Sequence, residues 1–180
     1  MVHSASLRVA PALLIVLLLC AGCGSGGSKI TAGTYVKSVC SAISPLERDV
    51  SIRSSALNDS TASNATDAKR TLQGFLNAIE QDSEHAVSQI RAAGTPDISN
   101  GKAVSGAIVR AFSQLRDAMK VAVSKSHALP TDSASSFNSA AQALTSSVRG
   151  ALNGIDASGL TNPALEKAAS TEPACKSLNS

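Results

Sequence analysis

Two cysteines stand three residues apart at the end of an apolar stretch, in the segment LLLCAGCGSGGS that runs from residue 17 to 28. A thiol that becomes a thiolate is a nucleophile, so each of the two is a candidate for covalent modification. Arg8 comes before the apolar stretch, which runs from Val9 to Leu19 and has about half of the ~20 residues of a membrane-spanning helix. A short basic region followed by such a stretch is typical of an export signal, which takes no part in the fold.

The residues around Cys23 resemble the bacterial lipobox, in which a signal is cut before a cysteine that carries a diacylglycerol group. The small residues Ala21 and Gly22 precede Cys23, although Cys20 takes the first position, where leucine is commonest. Modification of Cys20 is a competing hypothesis, but bulky Leu19 stands where the peptidase needs a small side chain. We therefore predict a lipoprotein signal peptide over residues 1–22 and lipidation of Cys23; an unmodified cysteine in a secreted protein is the remaining alternative.

A glycine- and serine-rich segment, residues 24–28, follows Cys23. Such a segment behaves as a flexible tether, and five residues reach roughly 12 Å. A lipid-modified cysteine carries two or more acyl chains, which together hold a protein stably in a bilayer. We therefore expect residues 23–30 to anchor a folded domain, residues 31–180, at the extracytoplasmic face of the cell membrane.

Cys40 and Cys175 remain once Cys20 and Cys23 are assigned to the signal and the lipid. Exported chains fold in an oxidising compartment, where two leftover thiols pair more often than they stay free. Their separation fits neither a C-x-x-C redox motif nor a zinc site. The sequence therefore predicts a structural disulfide that ties the C-terminal tail to the first helix.

Helical periodicity runs through nearly the whole domain. Apolar residues recur three and four positions apart in four long segments, separated after Ser60, at Gly94 and at Pro130. We expect Asp132 to cap the fourth segment and a short helix to start near Pro163. The chain has one Tyr, three Phe and no Trp, so its core must consist of Ala, Val, Leu and Ile. The predicted fold is all-α, an antiparallel helical bundle of four long helices with short loops.

Pro45 interrupts the first helical segment, because proline removes a backbone donor and clashes with the preceding turn. The run Ser44-Pro45-Leu46-Glu47 also has the pattern of a capping box with proline at the first helical position. We expect either a kink or a new helix start at this point.

Histidines and carboxylates form no recognisable catalytic or metal-binding motif. His85 follows Asp82 at a spacing that imitates part of a di-iron site, whereas His127 has no carboxylate at the matching offset. The sequence contains no G-x-S-x-G, H-E-x-x-H, P-loop or dinucleotide fingerprint. Met119 lies at helical spacing among apolar residues, which favours core packing over haem ligation. We predict no catalytic residue, no metal and no cofactor, and hence no enzyme.

The third helical segment is more basic than the others. Near an anionic bilayer each exposed cation contributes about 1 kcal/mol, so this helix is a candidate for contact with the membrane or with an acidic wall polymer. An ordinary solvated helix face is the alternative. Without Arg8 the chain has 15 Lys and Arg against 13 Asp and Glu, and this small excess is no nucleic-acid footprint. The residues predicted for the anionic contact are Lys102, Arg110, Arg116 and Lys120.

Five stretches of the domain form a recognisable set: TYVKSVCSAISPLERDV (34–50), AAGTPD (92–97), AFSQLRDAM (111–119), ALPTD (128–132) and LEKAASTEPACKSL (165–178). Together they resemble a family of small exported proteins and lipoproteins of actinobacteria, Streptomyces-like in composition. The resemblance implies export, a helical fold and the Cys40–Cys175 pair, and it supplies no catalytic residues.

These patterns predict a non-catalytic binding or accessory module that works with an envelope protein or a small ligand at the membrane surface. The alternative is an enzyme that acts on an extracellular or cell-wall substrate through a site without a known motif. A groove without convergent ionisable groups would favour binding, and titratable residues that meet in a cleft would favour catalysis.

Overall fold

A computed structural model describes residues 29–59, 64–155 and 159–179. These residues form six helices, two very short strands and a final 3-10 turn at Ser177–Asn179. The predicted helical fold is confirmed, although Cys23 and the signal segment lie outside the described residues. Within those ranges no helix is long and apolar enough to cross a membrane. The elements are β1 (Lys29–Ile30), α1 (Ala32–Asp59), α2 (Ala65–Ala92), β2 (Thr95–Pro96), α3 (Gly101–Ser126), α4 (Ala134–Asn153), α5 (Pro163–Thr171) and α6 (Pro173–Lys176).

Polar side chains cap the starts of several helices, because the first backbone N–H groups of a helix have no partner inside it. The Asn64 side chain accepts from the backbone N–H of Asp67 at the start of α2, and Ser133 accepts from that of Ser136 at the start of α4. The predicted cap of α4, Asp132, is therefore off by one residue. Its carboxylate instead accepts a hydrogen bond from the Ser136 hydroxyl.

Helix α1 continues through Pro45 without interruption. The Ser44 hydroxyl donates to the Cys40 carbonyl one turn back, at 2.9 Å, so Ser44 lies inside the helix and does not cap a new one. The expected restart at Ser44 is wrong, because α1 stays helical over its 28 residues although Pro45 has no backbone N–H to donate. The kink stays a prediction.

Apolar clusters join α1, α2 and α3. Ala42 packs with Ile90 in one cluster, and Leu46, about one turn further along α1, packs with Ile79 and Met119 in the next. From the first cluster to the second, the residue numbers rise along α1 and α3 and fall along α2. Met119 is a buried core residue, as predicted from its spacing.

Helix α4 lies at one side of this core and contacts mainly α3. Its two buried side chains, Phe137 and Leu144, belong to a cluster with Leu76, Ala122 and Leu129. The rest of α4 is largely exposed. Helix α4 is therefore held by fewer buried side chains than α2 or α3.

The C-terminal tail returns to α1, where Cys40 and Cys175 form a disulfide with a Cα–Cα distance of 5.1 Å. The predicted bond is confirmed. Cys175 is buried in a cluster with Tyr35, Val36 and Leu165, so the tail also makes apolar contacts with the start of α1.

The strands β1 and β2 pair in parallel, with Lys29 opposite Thr95. Gly101 opens α3 just beyond this pairing, and a Cβ at this position would overlap the carbonyl oxygen of Pro96. Only glycine fits here without a backbone shift. Lys29, the first described residue, lies beside the start of α3, since it lines a cleft together with Gly101 and Lys102.

Candidate functional site

A groove of about 340 Å³ lies between α3 and α4. It forms because α4 rests on α3 through Leu144 and leaves the two helices apart on one side. Val121 lies in the wall of this groove and is 52 % exposed. The apolar lining consists of Ala118, Val121, Ala122, Leu144, Val148 and Ala151.

The groove has polar groups at its edge, which are paired or spread apart. Asp117 accepts hydrogen bonds from the guanidinium of Arg116, at 2.8 and 2.9 Å. Lys125 donates to the Ser147 hydroxyl at 3.0 Å and so links α3 to α4. Asp117 and Lys125 are eight residues apart along the helix, or about 12 Å. No acid–base pair converges among the described lining residues, and the arrangement suits the binding of an apolar group.

The four cations predicted for an anionic contact fall into two groups. Lys102, Arg110 and Lys120 are exposed and form no ion pair among the described residues. Arg116 is paired with Asp117 and with Glu84 of α2, whose carboxylate lies 3.4 Å away. These partners raise the pKa of Arg116, and the hydrogen bond that Arg116 donates to Asp117 has the largest effect. The charge of Arg116 is therefore largely balanced within the protein.

The two histidines of the domain bond to glutamines. Gln89 contacts His85 one turn away on α2, and Gln73 lies 3.3 Å from Nδ1 of His127. Across the part of the chain that the structure describes, no group of three or more His, Cys, Asp and Glu side chains could hold a metal ion.

A cluster of charged residues lies between α1 and α2. One oxygen of Asp82 is buried without a hydrogen-bond partner among the described residues. Burial raises the pKa of Asp82 and the Asp49 carboxylate raises it further, while Arg53 and His85 lower it by less. Asp49 itself pairs with Arg53 at 2.9 Å. None of these residues lines the α3–α4 groove.

Tyr35 is fully buried beneath the tail. Its hydroxyl has no hydrogen bond of normal geometry within the described ranges. The Ser105 hydroxyl donates to the Gly94 carbonyl. Burial raises the pKa of Tyr35, and the Ser105 side chain offsets part of that shift. Tyr35 is a core residue, since none of its surface is exposed.

Sequence reasoning identified the basic residues of α3 but missed the groove. The groove depends on how α4 lies across α3, and no local motif records that geometry. The exposed Val121 was the available signal, because it interrupts an otherwise polar helix face. No protein-family model, curated protein or solved structure matches this sequence.

Proposed function

We propose that this protein is a lipid-anchored lipoprotein of the cell envelope. The supporting features are the small residues before Cys23, the apolar signal-like stretch and the glycine–serine segment that ends where the described fold begins, at Lys29. In this arrangement residues 1–22 are removed, residues 23–30 carry the lipid and the tether, and residues 31–180 form a domain outside the membrane. The resemblance to actinobacterial lipoproteins agrees with this proposal.

The domain serves as a non-catalytic binding or accessory module without a cofactor, and nucleic acid is not its partner. The α3–α4 groove carries this proposal, because it has an apolar lining and no converging acid and base. Its occupant is an apolar group of an envelope protein or small ligand. A photo-cross-linking residue at Val121 should form an adduct in intact cells, and one at exposed Lys167 should not. Equal labelling at both positions would contradict the groove as the binding site.

The four long helices, in this proposal, form an antiparallel bundle closed by the disulfide. The order of the clusters supports it, since positions rise along α1 as they fall along α2. Such a bundle provides a rigid support on which the groove between α3 and α4 keeps its shape.

Mass spectrometry of the mature N-terminus from a bacterial host tests the anchor. We expect the first residue to be Cys23 with a diacylglycerol group, and we expect Cys23→Ala to abolish that modification and release the chain from the membrane fraction. Cys20→Ala is the matched control and should remain lipidated. An unmodified Cys23 in the membrane-bound protein would contradict the proposal.

A second candidate function is an enzyme that acts on an extracellular or cell-wall substrate. The Asp49–Asp82 pair beside His85 favours it, because a carboxyl group with a raised pKa can donate a proton. Incubation with purified cell wall would then release soluble fragments, and Asp82→Asn would prevent the release. A binding module instead leaves the wall intact and loses its ligand when Val121 is changed.

A further inference from the structure

The positive charge of this protein is concentrated on one helix. Helix α3 contains five Lys and Arg and one Asp. The remaining chain after the tether contains ten basic and twelve acidic residues, so it has a negative balance. The excess of positive charge therefore belongs to α3 alone.

Four of the five cations are exposed, and at 3.6 residues per turn they spread over about 140° of the circumference of α3. Lys125 also donates a hydrogen bond to Ser147 of α4. Lys102 and Lys125 are 23 positions apart, so the row extends for about 35 Å. Arg116 is excluded because it pairs with Asp117 and Glu84. We call the remaining set the basic face; it consists of Lys102, Arg110, Lys120 and Lys125, all exposed.

The basic face also contains the exposed apolar wall of the groove. Val121 follows Lys120 directly and lines the groove together with Lys125. Cations around an apolar side chain match the boundary between lipid headgroups and acyl chains. There the cations are attracted to anionic headgroups and the apolar side chain is buried, and both interactions stabilise binding. A soluble polyanion would bind the cations but has no apolar group to contact Val121.

The described fold begins beside this face. Lys29, the first residue after the tether, lines the same cleft as Lys102, the first cation of the row. The five residues between Cys23 and Lys29 reach roughly 12 Å, so a lipid on Cys23 would hold the near end of α3 within contact distance of the bilayer.

We propose that the basic face docks on anionic phospholipid. Docking places Val121 and the open side of the groove at the level of the acyl boundary, so the apolar group that the groove binds enters it from the membrane side. This inference rests on the proposed lipid anchor, which supplies the proximity. The anchored domain then lies along the bilayer with α3 against the headgroups.

Vesicle sedimentation of the unlipidated chain from Gly24 to Ser180, which keeps every residue of the described fold, tests the docking. We expect binding to vesicles that contain phosphatidylglycerol and little binding to phosphatidylcholine alone. Each cation removed should lower the partition coefficient about fivefold. The triple variant Lys102→Gln, Arg110→Gln and Lys120→Gln should therefore bind about a hundredfold less well. Vesicle binding and the lipidation of Cys23 are measured separately, so failure of one leaves the other result intact.

The matched control is Lys37→Gln, Lys167→Gln and Lys176→Gln, which removes the same charge from exposed positions of α1, α5 and α6. This control should bind within about twofold of the parent chain. Equal losses in both triple variants would overturn the basic face, since net charge alone would then explain binding.

Val121→Ser separates lipid docking from the binding of a polymer. It should weaken vesicle binding at about 0.5 M NaCl, where charge interactions are screened within about 4–5 Å. If Val121→Ser has no effect, or if the chain binds polyphosphate but not vesicles, the proposal is overturned in favour of a soluble polyanion.

Discussion

The surroundings of Asp82 disfavour the charged form of its carboxyl group. Burial and the neighbouring Asp49 both raise its pKa, and Arg53, His85 and Arg48 compensate in part. The folded protein thus binds the Asp82 proton more tightly than the unfolded chain does. Between the ordinary pKa and the raised value the folded state holds more protons, so this residue makes stability fall as pH rises through that window.

Asp82→Asn should therefore raise the midpoint of thermal unfolding slightly at pH 7, because asparagine carries no negative charge in surroundings that disfavour one. It should also flatten the pH dependence of stability in the mildly acidic range. Glu80→Gln, on the same helix but outside the Asp49–Asp82 pair, is the control and should do neither. A lower midpoint for Asp82→Asn at pH 7 would mean that the Arg53 and His85 attractions outweigh burial.

Individual residues were predictable where the signal is local. The spacing of Met119 predicted a core position, and its burial confirms this. The pairing of Arg116 was not predictable, since its partner Glu84 belongs to another helix and is 32 positions away. Periodicity places a cation on a helix but does not say which acidic side chain faces it.

Helix α4 depends on few contacts. Leu144 is buried in the cluster that joins α4 to α2 and α3, whereas Leu152 lies further along the same helix and is exposed. The two residues are of the same type and lie on the same helix. Comparing their substitutions therefore separates the effect of packing from that of helix propensity.

Leu144→Ala should lower the free energy of unfolding by about 2–4 kcal/mol, the usual loss for a buried leucine. Leu152→Ala should change it by less than about 1 kcal/mol, as expected for a surface position. Urea denaturation measures both. Similar losses at the two positions would show that α4 is not held through Leu144.

Helix bounds followed from the sequence because caps and breakers act within a few residues. Gly94, at φ 83°, and Pro96 end α2 as their types require. Of the two expectations at Pro45, the new helix start was wrong, since Ala42 and Leu46 pack in the core on both sides of it within one helix. The strands β1 and β2 were missed, because two residues are too few to show an alternating pattern.

The disulfide joins residues 135 positions apart and ties the C-terminal tail to α1. A bond of this span stabilises mainly by restricting the unfolded chain, by about 2–5 kcal/mol. The small side chains of the core bury little area each, so this contribution is a large part of the total.

Cys40→Ser with Cys175→Ser should lower the free energy of unfolding by that amount, and a reducing agent should lower it equally in the parent chain. The reducing agent should have no effect on the double variant, which serves as the control. An unchanged midpoint in the double variant would show that packing of Leu165 and Tyr35 suffices to hold the tail.

The same bond has a consequence for proteolysis on the cell surface. A protease that cuts the backbone once anywhere between Cys40 and Cys175 produces two fragments that stay covalently joined. If Cys23 carries the lipid, both fragments then remain attached to the cell that made them. Nicking of an exposed loop would not shed the domain, and release would require either reduction of the bond or a cut ahead of Cys40.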